Sequence, residues 1–455
     1  MEGLLTKLEG HKNSDVYPFH MPGHKRNREI LGNTLPYGID ITEITGFDNL
    51  HGADGIIDDI QARLSRFYDS VKSFLLVNGS TCGIMSAILS ACDFGDKIIV
   101  ARNCHKSVYN AIELYNLRPV WILPERDECI DTFGEVKSSD IENAIMQNPD
   151  ARLVVITSPT YEGVISNIPQ IAKACRDRGI LLFVDMAHGA HLPLFEGFEN
   201  AYGADISVVS LHKTLPCMTQ TACLNIHSEK VDTKKLSKLL SCFETSSPSY
   251  PLMASVDRCM KLIEERGREL TENYERMLGD FYDRAFRLKA LRLHRTDDFG
   301  KLVIACDKAS INGSELFARL RDEYGIECEM ASARYVIAMS SICDTQEGFD
   351  RLIKALFEID GGLEHRQKEL PVSITLPKAE MSSYEAARRE SKQLSLDSAV
   401  GRICASYVWT YPPGIPLIAP GEVITQDIAD KISELSASGV DVHTDCGGAI
   451  VSVLK

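Results

Sequence analysis

The sequence predicts an α/β fold: a mainly parallel sheet covered by helices, followed by a smaller α+β region. Two observations predict it. From about residue 70 to about residue 245, short apolar runs alternate with segments of helical period, the pattern of successive βαβ units. The runs are also apolar along their length, as in Ile206-Ser207-Val208-Val209 and Leu181-Leu182-Phe183-Val184. Strands buried on both faces read this way, whereas half-exposed strands alternate.

Taken in order, strands are expected at 73–77, 97–101, 119–123, 152–157, 180–185, 205–210 and 221–226. Helices are expected between them at 81–92, 105–116, 139–147 and 168–178. Residues 252–290 read as one long helix with a charged outer face. A strand (301–305), a helix (313–324), two strands (326–330 and 334–340) and a helix (346–358) make an α+β unit. Gly361-Gly362, with Pro371 and Pro377 beyond it, marks a linker. The remainder holds a helix at 382–393, the Pro-rich stretch Tyr411 to Pro416, and a last helix near 425–437. The expected organisation is an N-terminal arm (1–50), a large domain (51–255), a small α+β domain (256–360) and a C-terminal domain (361–455).

Composition narrows the function. The 455 residues are 44% hydrophobic and 25% charged, as in ordinary globular proteins. The net charge of −15 argues against nucleic acid, whose binders carry a basic footprint, and suits a cationic small molecule. No apolar run approaches the roughly 20 residues of a membrane span, and Met1-Glu2-Gly3-Leu4 does not open a signal peptide. The 14 cysteines are scattered, with no C-x-x-C pair, so they read as buried hydrophobes in a reducing cytoplasm.

Chemistry concentrates at strand ends. Lys213, in Ser210-Leu211-His212-Lys213-Thr214, directly follows an apolar strand, where open α/β sheets place their ligands. Asp185 ends a second such strand, and Asn78-Gly79-Ser80-Thr81-Cys82-Gly83 joins a third to a helix. A lysine, a carboxylate and a small hydroxyl loop at a helix start are what pyridoxal 5'-phosphate (PLP) requires: an imine, a pyridinium partner and a phosphate cradle. Desolvation at a sheet edge lowers a lysine's pKa and readies its amine as a nucleophile. Each part also has a plainer reading: surface lysine, strand-end turn, helix cap. His105 starts a helix after the strand 97–101, so it is either a cap or the ring that covers a cofactor's open face. His188 and His191 have a metal-like spacing, but no ligand set accompanies them beyond Asp185. His20 and His24 flank a Pro-Gly pair, unlike a helical metal pair. No metal is expected.

With these residues in place, the chain resembles the Orn/Lys/Arg decarboxylase class-I family of fold-type-I, aspartate aminotransferase-like PLP enzymes, in its short form without an N-terminal wing domain. The resemblance rests on Phe19-His20-Met21-Pro22-Gly23-His24-Lys25, Asp40-Ile41-Thr42-Glu43, Asn78-Gly79-Ser80-Thr81 and Asn103-Cys104-His105-Lys106-Ser107. It continues through Asp185-Met186-Ala187-His188-Gly189-Ala190-His191, Ser210 to Pro216, Ser246 to Pro251, Tyr411 to Pro416 and Pro420-Gly421-Glu422.

The resemblance implies that Lys213 is the Schiff-base lysine, Asp185 the pyridinium partner and His105 the stacked ring. Ala187 lies on the opposite ring face, with His188 beside the cofactor. Ser80, Thr81, Ser210 and His212 surround the phosphate, helped by Ser246 from a neighbouring subunit of a homodimer or larger homo-oligomer, and Cys82 also belongs to the cofactor-binding set. Glu329 then reads the substrate's distal cation. Met186 stands where the short form usually has Glu, and Ser332 where it often has Asp; both departures bear on substrate preference. The implied reaction is decarboxylation of arginine, lysine or ornithine to agmatine or a diamine and CO2. The same Lys/Asp/phosphate parts also support transamination or elimination. A non-catalytic PLP-binding regulator would be expected to lack Lys213 or His105, and both are present.

Overall fold

A computed structural model of the protein describes residues 3–14, 21–22, 25–32, 34–366, 375–410, 414–447 and 450–455. Phe19, His20, Gly23, His24, Pro371, Tyr411, Pro412 and Pro413 lie outside the described residues. The chain divides into two compact units: Met1–Ala91 with Phe183–Thr271, and Cys92–Leu182 with Glu272–Lys455.

In the first unit the strand Ile206–Val209 is central. It pairs in parallel with Leu181–Asp185, through Phe183↔Ile206 and Asp185↔Val208. On its other side it pairs antiparallel with Ala222–Ile226, which in turn pairs antiparallel with Lys72–Leu76. Every residue of Ile206–Val209 and Ala222–Ile226 is buried, which is why these runs are mostly apolar, with Ser207 and Asn225 the exceptions. The helix Gly79–Ala91 packs on them, and Gly83 permits the approach. A Cβ at Gly83 would sit 2.7 Å from Leu76 Cδ1 and 3.1 Å from Val208 Cγ2, so any side chain there would push the helix off the strands.

Lys72–Leu76 has one strand partner in this unit, and its outward amides are met by side chains. Leu75 N–H donates to Gln61 Oε1 (3.2 Å) and Val77 N–H to Glu244 Oε1 (2.6 Å), which removes the open row of donors that makes an edge strand sticky. Gln61 comes from the helix Ile56–Phe67. That helix is pinned to the long helix Tyr250–Ala285 by buried Arg63, which donates to Asp257 (2.7 Å) and Glu264 (2.9 and 3.1 Å).

In the second unit the strand Lys97–Ala101 pairs in parallel with Arg118–Ile122 and Ala151–Thr157. A separate antiparallel sheet runs Arg292–His294, Lys301–Ala305, Tyr335–Met339, Met330–Ala331. The C-terminal segment adds the strands Val408–Thr410, Ile415–Ile418 and Val442–His443, and the pair Ser391–Ser395 with Ile450–Leu454. Its core gathers Leu396, Val408, Ile418, Ile424, Ile428 and Val453. The loop after Lys97–Ala101 is tied to this segment by a buried ion pair: Arg102 donates twice to Glu422, at 2.7 and 2.8 Å.

The α/β class and the mainly parallel pairing are as the sequence predicts. Two elements differ. The helix expected at 382–393 is one turn, Ser383–Ala386, followed by the strand Ser391–Ser395. Ser382 and Glu385 form a capping box that starts the helix, but pairing with the distant Ile450–Leu454 claims the rest. The strand expected at 326–330 shrinks to Met330–Ala331, because left-handed Gly325 (φ 62°) turns the chain after the preceding helix. The sequence reading did not anticipate the helices Leu4–Lys12, Ile56–Phe67 and Thr233–Phe243. Among the described residues, no helix is long and apolar enough to cross a membrane.

Candidate active site

Two neighbouring parallel strands of the first unit deliver Asp185 and Lys213 from their carboxyl ends, the position at which open α/β sheets hold ligands. Ile206–Val209 passes through Ser210 into one helical turn, Leu211–Thr214, which carries Lys213. Asp185 is the last residue of its strand and is 2% exposed. Burial pushes its carboxyl up to about 6, against the pull of the Ala187 N–H (3.0 Å) and the charge of Lys213. A carboxylate so placed is stabilised by a further cation.

Lys213 Nζ lies 2.8 Å from Nε2 of buried His188, so the turn at 186–189 supplies one hydrogen-bond partner of the lysine. That turn is fixed by backbone bonds from Met186 N–H to Val208 O (2.8 Å) and from Ser210 N–H to Ala187 O (3.3 Å). Ala187 is buried between them. Met186, one of the two departures, is itself buried, at 4% exposure.

The hydroxyl loop meets the same strand end. Ser210 Oγ donates to Ser80 Oγ at 3.0 Å, at the first turn of the helix Gly79–Ala91. Gly79 takes φ +74° to make the turn from strand into helix, a conformation that costs a side chain dearly. Cys82 closes that turn through Sγ to Gly79 O (3.1 Å), and burial pushes its thiol up to about 12. Thr81 is exposed. His212 holds its ring through Nδ1 to the Thr221 carbonyl (2.8 Å), and burial, with Lys213 nearby, lowers its pKa.

The structure therefore brings Asp185, Ala187, His188, Lys213, His212, Ser210 and Ser80 together within one unit, with Cys82 beneath the loop. Ser246 is exposed, in the segment after Glu244. His105 and Glu329 belong to the second unit. His105 caps the helix Lys106–Leu114, its Nδ1 taking the Ser107 N–H at 3.2 Å. Glu329 is exposed and accepts a hydrogen bond from the Tyr161 hydroxyl. Among the described residues, no group of three or more His, Cys, Asp or Glu side chains is arranged to hold a metal ion.

One residue the sequence did not single out is Glu244. It is 7% exposed, and its carboxylate takes the Val77 amide immediately before Asn78-Gly79-Ser80. Glu244 thus anchors the hydroxyl loop at its root. Its only local signal is its place as the first residue after the amphipathic helix Thr233–Phe243.

Comparison with known proteins places the chain in a family. The major-domain model of the Orn/Lys/Arg decarboxylases matches residues 3–317, and the C-terminal domain model of the same family matches 365–438. An arginine decarboxylase of Halalkalibacterium halodurans is 31% identical, over 97% of this chain and 94% of that protein. In fold, the lysine decarboxylase LdcF of Francisella novicida superposes with a TM-score of 0.84 at 18% identity, covering 99% of this chain and 81% of that one. An alanine–glyoxylate aminotransferase from Nostoc superposes with a TM-score of 0.54 at 16% identity, covering 68% and 88%. By these matches the chain belongs to the Orn/Lys/Arg decarboxylase family.

Proposed function

We infer that the protein decarboxylates a basic L-amino acid with pyridoxal 5'-phosphate as cofactor, and that arginine is the preferred substrate. The observation that carries this reading is the pair of strand ends holding Asp185 and Lys213 side by side, with Asp185 in need of a cation. A protonated pyridine nitrogen is that cation, so the residues fit the cofactor. Lys213 would anchor it covalently, Asp185 would keep its ring nitrogen protonated, and Ser80, Thr81, Ser210 and His212 would hold its phosphate. When bound, the cofactor supplies an electron sink for the pair left on the substrate's α-carbon as CO2 departs.

The chain's own residues do the rest. Asp185, buried and drawn toward pairing, holds positive charge at the far end of the site throughout. Lys213 Nζ and His188 Nε2, 2.8 Å apart, would share the proton that the carbon losing its carboxylate takes up. That carbon takes one proton for each CO2 released, which balances the reaction. Glu329 meets the substrate's distal cation, and a guanidinium gives its carboxylate two donors rather than one. By the family resemblance, His105 would be the ring stacked on the cofactor. The active assembly is a cytoplasmic homodimer in which exposed Ser246 reaches the partner's phosphate.

The test is direct. Purified enzyme reduced with borohydride is expected to carry its cofactor on the peptide containing Lys213, and CO2 release is expected to be fastest with arginine among arginine, lysine and ornithine. Label on another lysine overturns the assignment of Lys213, and absence of CO2 from all three overturns the reaction. Sedimentation of a fully active monomer overturns the shared site.

A further inference from the structure

The second unit holds a partly open cavity of about 250 Å³, whose wall includes Ser332. Phe133, Met330, Leu417 and Leu435 contribute apolar walls, and Arg126, Asp131, Glu162 and Lys431 contribute charge. Glu329 is not part of the wall.

The charged groups are not equivalent. Asp131 is paired with both Arg126 and Lys431, and Lys431 is paired again with Glu434 at 2.9 Å. Arg126, Lys431, Asp131 and Glu434 thus form a linked set. Glu162 stands outside that set. Its side chain is 6% exposed and accepts a hydrogen bond from the neutral Tyr335 hydroxyl at 2.6 Å. Tyr335 is held as a donor, since burial and the adjacent Glu162 charge push its pKa well above the ordinary value. One hydroxyl only partly compensates a buried carboxylate.

We propose that this cavity is a binding site for a small aliphatic cation, an alkylammonium or alkylguanidinium whose charged head pairs with Glu162 and whose chain lies along the apolar wall. Size supports the assignment. A dry apolar cavity of about 150 Å³ takes up benzene, so the volume here accommodates an unbranched chain of a few carbons with its head group. Charge sets the class, because an anion would face Glu162 and a neutral chain would leave its carboxylate without a counter-charge. The site stands independently of the decarboxylation reading.

The probe is n-butylammonium, titrated calorimetrically into the holoenzyme, with 1-butanol and butyrate as neutral and anionic controls of equal length. Butylammonium is expected to bind at least tenfold more tightly than either control. Glu162→Gln keeps an acceptor for Tyr335 and is expected to lower butylammonium affinity at least tenfold, while leaving butanol unchanged. Val440→Trp, which fills the cavity from its half-buried rim, is expected to abolish binding and serves if the Gln variant fails to fold. Glu329→Gln is expected to leave butylammonium binding intact. The proposal is overturned if the holoenzyme takes up no butylammonium, or if it binds butanol equally well. It is also overturned if binding is lost in Glu329→Gln but kept in Glu162→Gln, since the amine then sits where the substrate's cation is read.

Discussion

Asp185 in the first unit and Glu422 in the second are both 2% exposed, yet the two units treat these carboxylates in opposite ways. Glu422 receives two hydrogen bonds from Arg102, at 2.7 and 2.8 Å, and one from the Ala419 amide at 2.8 Å. Asp185 receives the Ala187 amide and feels Lys213 through space. A buried charge that the chain satisfies by itself is architecture. A buried charge left short of a partner is reserved for something the chain must bind.

The comparison is sharpest at Glu422. Truncation by Glu422→Ala leaves the Arg102 guanidinium buried without its carboxylate, and is expected to cost about 3–5 kcal/mol of stability, read from urea midpoints. Replacing both partners, with Arg102→Met and Glu422→Leu, is expected to recover most of that loss. Unchanged midpoints with lost turnover would place Glu422 in the reaction and break the contrast.

Asp185 answers to pH in the opposite sense from a paired carboxylate. Its folded pKa of about 6 lies above the ordinary 3.8, so the cofactor-free folded chain holds this proton more tightly than the unfolded chain. Its contribution is full below about pH 4 and is lost as pH rises to about 6, a change of about 3 kcal/mol. Asp185→Asn is expected to remove that part of the pH slope, measured as the difference between the two cofactor-free proteins across pH 4–7. The same variant is expected to lower kcat about a hundredfold or more, since removing one member of a buried charge pair costs about 3–5 kcal/mol. A parallel pH profile for the two proteins would show that Asp185 is already satisfied.

Exposed Glu329 is the smallest case. Its pairing with a substrate cation forms near solvent, and charge-assisted bonds of this kind are worth about 1.5–3 kcal/mol. Glu329→Gln is expected to lower kcat/KM for the preferred substrate about tenfold while leaving cofactor affinity unchanged. Equal kcat/KM in the variant would leave Glu329 with Tyr161 as a surface contact.

What could be read from the sequence follows the same division. Strand ends were legible because burial on both faces forces an apolar run, and the residue that ends the run announces itself, as Asp185 and Lys213 do. Glu244, Arg102 and Glu422 were not legible as structural partners, because what they satisfy lies far away in sequence: Val77 for Glu244, and 320 residues between Arg102 and Glu422. The strand Ser391–Ser395 was hidden for the same reason. Its capping box is local and reads as a helix start, whereas its partner Ile450–Leu454 is remote.

The antiparallel pairing of Lys72–Leu76 with Ala222–Ile226 has a consequence during synthesis. The strand leading into the hydroxyl loop leaves the ribosome about 150 residues before its strand partner does. At about 5–20 residues per second, Phe74, Leu75 and Leu76 wait roughly eight to thirty seconds for their strand partner. Gln61 is made earlier and can cover one amide, but Glu244, which covers another, arrives later still. The loop that would cradle a phosphate therefore cannot be rooted until the chain has passed residue 244. Until then this apolar strand is a target for chaperones and for mispairing with other nascent chains.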